Sequence, residues 1–276
     1  MKLCASNLAL PAFDHLALLA HLPALGLEGL EIVPAHTWAD PWHGINAAQI
    51  DHFRHTAEAA GLAITGLHGL LRGQPNMGLF TDFRNRKATL DYLVHLSALC
   101  RDLGGRTLIL DSRWRHDLPD RAAWPHCRDF LEDLMPRIEP HGTVLCFAPL
   151  TPEQGDFCAT AKECYLMVNA VDHPSFGLHL SAAGLAATGE MGHATFAAVR
   201  GRLEHFHADD PDWAEPGQCP AIDHADLRRH LAAISYFDWV SVIQHQSASD
   251  AADDPLAALK RGVDFVARTY LPIDTR

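Results

Sequence analysis

The chain has 276 residues, of which 48% are hydrophobic and 20% charged, with a formal net charge of −12 at pH 7. That is enough apolar material for one large core, and it excludes a disordered chain. An acidic balance without a basic stripe argues against nucleic acid and anionic membrane surfaces as partners.

Eight short apolar runs follow in order: Lys2–Ser6, Gly29–Val33, Ala63–His68, Thr107–Asp111, Thr143–Phe147, Phe176–Leu180, Leu203–Ala208 and Trp239–His245. They are continuously apolar rather than alternating, as strands buried on both faces should be. Helical patterns separate them. From Asp82 to Leu103, the residues Leu90, Leu93, Val94, Leu96, Leu99 and Leu103 keep a 3.6-residue period, and Gly104-Gly105 stops it. The stretch 47–60 ends at Gly61 in the same way, and 225–234 and 254–270 complete the last two units. The sixth unit, around 194–199, is the shortest.

Eight alternating units predict a closed (β/α)8 barrel in a single domain over residues 1–276. An open doubly wound sheet would want a glycine-rich phosphate loop after the first strand, and Asn7-Leu8-Ala9-Leu10-Pro11 has none. No run of about 18 apolar residues occurs, so no membrane span is expected. Met1–Asn7 reads as a strand, not a secretion signal. The seven cysteines are irregularly spaced, without Cys-x-x-Cys, and read as reduced thiols in a cytoplasmic protein.

Chemistry in such a barrel gathers at the carboxyl ends of the strands, with side chains two apart sharing a face. Those ends show Glu31, His68, Asp111, Ala148, Ser181, His207 and Gln244. The segments Gly26–Ile32, Gly61–His68, His205–Asp209, Pro216-Gly217 with Ile222-Asp223, and Tyr236–Val242 together resemble the xylose-isomerase-like family of sugar isomerases and epimerases. The resemblance implies a divalent cation held by a Glu on strand five, an Asp on strand six, a His on strand seven and a Glu on strand eight. It also implies a dimer or tetramer.

Three of those four positions differ. Ala148, Ser181 and Gln244 stand where carboxylates are expected, Gly184 stands for a supporting histidine, and only His207 matches. Without three anionic ligands the usual metal site is not expected, and no cofactor is assigned. An unconventional zinc site remains an alternative, because His179, His205 and His207 point inward by parity, with Cys146, His68 and Glu31 nearby.

His207, Glu31 and His68 are therefore the candidate acid/base residues. Asp209, Gln244, Ser181, Arg113, Arg115 and His179 are the candidate substrate contacts. Arg72, Arg113 and Arg115 on the loops, beside a pocket short of carboxylates, favour a small anionic carbohydrate-like ligand. Trp38, Trp42, Trp114 and Trp213 fall in the same upper loops and could wall a sugar. Three functions follow: an enzyme acting on a small sugar or polyol derivative without the usual metal, an inactive binding or regulatory homologue, and an isomerase with unconventional ligands. A DNA-repair endonuclease on this barrel would need a cluster of zinc ligands that Ala148, Ser181 and Gln244 cannot supply.

Overall fold

A computed structural model describes residues 1–115, 118–246 and 254–271. Eight parallel strands close into a barrel in sequence order. They are β1 (Lys2–Ser6), β2 (Gly29–Ile32), β3 (Ala63–Leu67), β4 (Thr107–Leu110), β5 (Val144–Phe147), β6 (Phe176–Ser181), β7 (Leu203–Asp209) and β8 (Trp239–Ile243). Closure runs through β1, which pairs with both β2 and β8. Residues 272–276 of the expected domain, like 116–117 and 247–253, lie outside the described residues.

The helices are α1 (Pro34–Thr37), α2 (Ala47–Ala59), α3 (Phe83–Leu103), α4 (Asp120–Ile138), α5 (Ala161–Val171), α6 (Ala182–Thr188), α7 (His193–Val199), α8 (His224–Ala233) and α9 (Ala257–Tyr270). Asp82 caps α3 by accepting from the Asn85 N–H, and Gly104 ends it at φ 89°. A capping box of Asn46 and Gln49 opens α2. The first crossover departs from α-helical form: Leu16–Leu25 is a 3-10 segment with Pro23 inside it. Proline there removes a backbone donor that an α-helix would need.

Apolar side chains divide into two groups. The large cluster packs sheet against helices, with Leu30, Leu67, Leu110, Phe147, Leu180, Phe206 and Val242 among its strand residues. A second, separate cluster of Ile109, Val144, Cys146 and Ala148 takes the alternate positions on β4 and β5, inside the barrel. Opposite parity on the same strands thus separates outer core from lumen.

Candidate functional site

The carboxylate of Glu31 on β2 is the centre of a buried polar cluster and is fully shielded from solvent. Strand β7 brings two histidines to it. His207 Nε2 lies 3.0 Å and 3.2 Å from its two oxygens, and His205 Nε2 lies 3.4 Å from Oε2. Ser241 on β8 donates from Oγ to Oε2 at 2.8 Å. His179 on β6 pairs in register with His205, and its ring packs edge-on against His207 with centroids 4.0 Å apart. His179, His205 and His207 therefore face inward, as parity predicts.

Burial opposes charge on every member of this cluster. It works against the Glu31 carboxylate, but the three histidines His207, His205 and His68 hold the group well below the usual carboxylate range. Burial pulls His207 down to about 4, with the Glu31 charge opposing it, and pulls His179 well below the ordinary histidine value. Burial thus disfavours a charged ring at His207 and His179, beside a carboxylate that its histidine neighbours favour in the ionised form.

His68 lies just beyond the end of β3, one ring above. It meets the His207 ring with centroids 5.4 Å apart. Its Nε2 is 2.7 Å from Ser6 Oγ, and its Nδ1 is 3.8 Å from Asp111 Oδ2. Burial lowers the His68 pKa, but the negative charges of Glu31 and Asp111 outweigh it and leave it raised. His68, Asp111, Arg72 and Trp213 line a cavity of about 250 Å³, together with Glu153 and Gln154. An adjoining cavity of about 440 Å³ shares Glu153, Gln154 and Trp213, and adds Asp209, Asp210 and His245.

The remaining expected contacts divide sharply. Asp209 lines the second cavity, accepts from the Ala183 N–H at 3.1 Å, and is raised to about 7 by burial and, opposing its backbone hydrogen bonds, by Asp210. Ser181 caps α6 by accepting from the Gly184 N–H. Arg113 is a correction to the expected ligand clamp. Its guanidinium is buried, donates to the carbonyls of Leu110, Ala148, Phe157 and Cys158, and lies over the Phe147 ring at 4.2 Å. It ties the β4 and β5 loops together. Arg115 faces Asp156, 3.4 Å away, in a different depression beside Trp124. Gln244 is a second correction. Ser241 faces inward, so Gln244 has outward parity, and its amide lies against Gly262 of α9. Of the four loop tryptophans, Trp213 lines the cavities, whereas Trp38 packs on Phe53 and Trp42 on Tyr92. Trp114 is 44% exposed.

Sequence reasoning overlooked Ser6 and Ser241, which orient His68 and Glu31. The inward parity of His207, paired in register with Ser241, is the signal that could have found the second.

Fold and cluster define an (β/α)8 barrel with titratable side chains gathered inside and at the carboxyl ends of its strands. The chain belongs to the xylose isomerase-like TIM barrel family, whose model matches residues 19–269. A search of curated proteins gives no significant match. Among solved structures it is similar to D-psicose 3-epimerase from Clostridium cellulolyticum H10, at 18% identity and TM-score 0.83, covering 98% of this chain and 99% of that one. It is also similar to 3-keto-D-glucoside 4-epimerase from E. coli, at 18% identity and TM-score 0.79, covering 97% and 99%. An L-ribulose 3-epimerase matches at 17% identity and TM-score 0.79, covering 98% and 95%. At such identities the likeness shows the fold.

The carboxylate-rich cation site implied by the resemblance does not fit these residues. Ala148 belongs to the apolar cluster, the Ser181 hydroxyl is engaged as a helix cap, and Gln244 is turned to α9. The supporting-histidine position is closed as well, because a Cβ on Gly184 would sit 2.7 Å from the Pro149 carbonyl oxygen.

Proposed function

We propose that the protein is a sugar isomerase or epimerase-like enzyme that binds a small, neutral sugar or polyol derivative at the strand ends and moves a proton on it through Asp111 and His68. The observation that carries this reading is the Asp111–His68 pair on the wall of the smaller cavity. Asp111 keeps 18% side-chain exposure and can meet a ligand, while His68 behind it is nearly enclosed. A carboxylate backed by an imidazole can take a proton from a carbon beside a carbonyl and return it. Glu31 and His207 lie under His68 and support it from below.

A neutral ligand is preferred because Arg113 and Arg115 are engaged elsewhere, and the positive charge of Arg72 on the wall of the smaller cavity is offset by Asp111 and Glu153 on the same wall. Glu153, Asp209, Asp210 and Asp212 line the larger. Carboxylates accept hydrogen bonds from sugar hydroxyls, and Trp213 offers a flat apolar wall. Seven free cysteines support a reducing cytoplasm, and no helix among the described residues is long and apolar enough to cross a membrane.

Keto sugars and polyols are to be screened by thermal shift, and each stabilising ligand incubated with the protein in D2O. Deuterium should enter the ligand at one carbon, and Asp111→Asn and His68→Asn should each slow this at least about 100-fold, the scale of a positioned acid/base. Stabilisation without deuterium exchange would overturn the enzymatic reading and leave a binding or regulatory homologue.

A further inference from the structure

We propose that Glu31, His205 and His207 bind one divalent transition metal of the zinc class, with His179 beside them as the fourth donor. The site lies within the barrel, on β2, β6 and β7, and shares only His207 with the cation position that the family resemblance implies. It extends the acid/base reading without depending on it.

Three observations carry it. The first is spacing. One ligand atom from each of Glu31, His205 and His207 lies within 4.8 Å of the others. The contacts between the carboxylate and the two Nε2 atoms run from 3.0 to 3.4 Å. Donors about 2.0–2.1 Å from a tetrahedral zinc sit about 3.4 Å from one another. The carboxylate and imidazoles already stand close to the separation that such an ion imposes.

The second is unsatisfied polarity. Both ring nitrogens of His179 and the Nδ1 of His205 are buried and have no hydrogen-bond partner among the described residues. Buried polar atoms rarely go unpaired, so the His179 nitrogens call for a partner. Its ring packs 4.0 Å from His207 and 5.9 Å from His205, centroid to centroid, so it stands beside the Glu31, His205 and His207 ligand atoms rather than among them, where a bound ion would draw it in as the fourth donor.

The third is donor chemistry and support. Imidazoles with one carboxylate suit zinc and its transition-metal neighbours, whereas magnesium and calcium want an oxygen shell. Ser241 donates to Glu31 Oε2 and fixes the carboxylate from behind, as outer hydrogen bonds do at metal sites. The His68 ring lies between His207 and the cavity, so the ion would set the floor beneath the Asp111–His68 pair without meeting the ligand.

The test uses the full-length protein without a histidine tag, purified without chelator, and needs no substrate. Elemental analysis should find about one equivalent of zinc or a related metal. After chelator dialysis, added Co²⁺ should give the visible absorption of a low-coordinate cobalt ion, displaced by Zn²⁺. Glu31→Gln and His205→Asn should each abolish the absorption, with circular dichroism checking the fold. Ser241→Ala, a milder change, should weaken Co²⁺ affinity about 10–100-fold. A folded wild-type protein without metal and without the cobalt spectrum would overturn the site and leave a shared proton between His207 and Glu31. Wild-type Co²⁺ affinity in a folded Glu31→Gln, His205→Asn or Ser241→Ala protein would overturn it equally, by assigning the metal to other histidines. Either failure would leave the deuterium-exchange result of the acid/base reading untouched.

Discussion

Strands β4 and β5 fill the barrel interior with Ile109, Val144, Cys146 and Ala148, whereas β2, β6, β7 and β8 fill it with Glu31, His179, His205, His207 and Ser241. Both sets are fully or almost fully buried, yet they are held by different physics. The first set packs without regard to direction and tolerates small changes in shape. The second is directional: Glu31 is the common acceptor of His205, His207 and Ser241, so that removing it leaves them unsatisfied, while the His179 ring packs beside His207. Ala148 marks the boundary: where the family resemblance implies a metal-binding carboxylate, this chain has a methyl group that joined the apolar side. The acidic centre of the barrel lies instead at Glu31, and the histidines are gathered there.

The sharpest break of this contrast is Glu31→Leu. It leaves His205, His207 and Ser241 without their buried acceptor, and should cost about 3–5 kcal/mol in urea unfolding with chelator present, as removing one partner of a buried ionic cluster does. A cost under about 1 kcal/mol would mean that the polar side is packed rather than networked. A second buried network is set behind β7. His224 lies 3.0 Å from Asp210 Oδ1 and 2.7 Å from the Tyr270 hydroxyl, and the Cys219 N–H donates to Asp210 Oδ2. Burial pushes the Asp210 pKa up, but the His224 and backbone hydrogen bonds outweigh it and leave it lowered. A lowered carboxylate stabilises the fold above its unfolded value, about 3.9, and the contribution fades as pH falls through the folded value. Asp210→Asn should therefore cost about 2–3 kcal/mol at pH 7. The gap from wild type should close below about pH 4. Unfolding curves for both proteins from pH 7 to pH 3 check the sign, and a gap that widens in acid would refute the assignment.

Much of the scaffold was legible because it rests on local rules. All eight strands fall within two residues of the apolar runs at each end, and Asp82 with Gly104 frames α3 as capping chemistry demands. The three inward histidines followed from period-two parity on β6 and β7. What stayed hidden depends on contacts between distant segments. Arg113 reads as a loop cation, and nothing in its neighbourhood reveals that the carbonyls of Ala148, Phe157 and Cys158 converge on it. Gln244 stands at the end of an apolar run, where a shift of one residue reverses the face. Glu31 reads as a strand-end carboxylate, but its role as common acceptor for β7 and β8 needs the barrel to be closed first.

The smallest expected effect comes from the apolar side. Ile109 is fully buried, and on β4 it pairs in register with Cys146 on β5. Ile109→Val removes one methyl group, and should cost about 0.5–1.5 kcal/mol through lost transfer energy and a small cavity. Because dispersion contacts have no direction, the change should leave both Co²⁺ affinity and deuterium exchange at the Asp111–His68 pair within about 2-fold of wild type, less than the loss from a metal-site supporting residue. A stability loss of this size accompanied by a ten-fold change in either readout would show that the two sides of the lumen act as one unit. A loss confined to stability would show that the apolar side serves as scaffold, with the chemistry carried by Glu31, its histidines and the cavity above them.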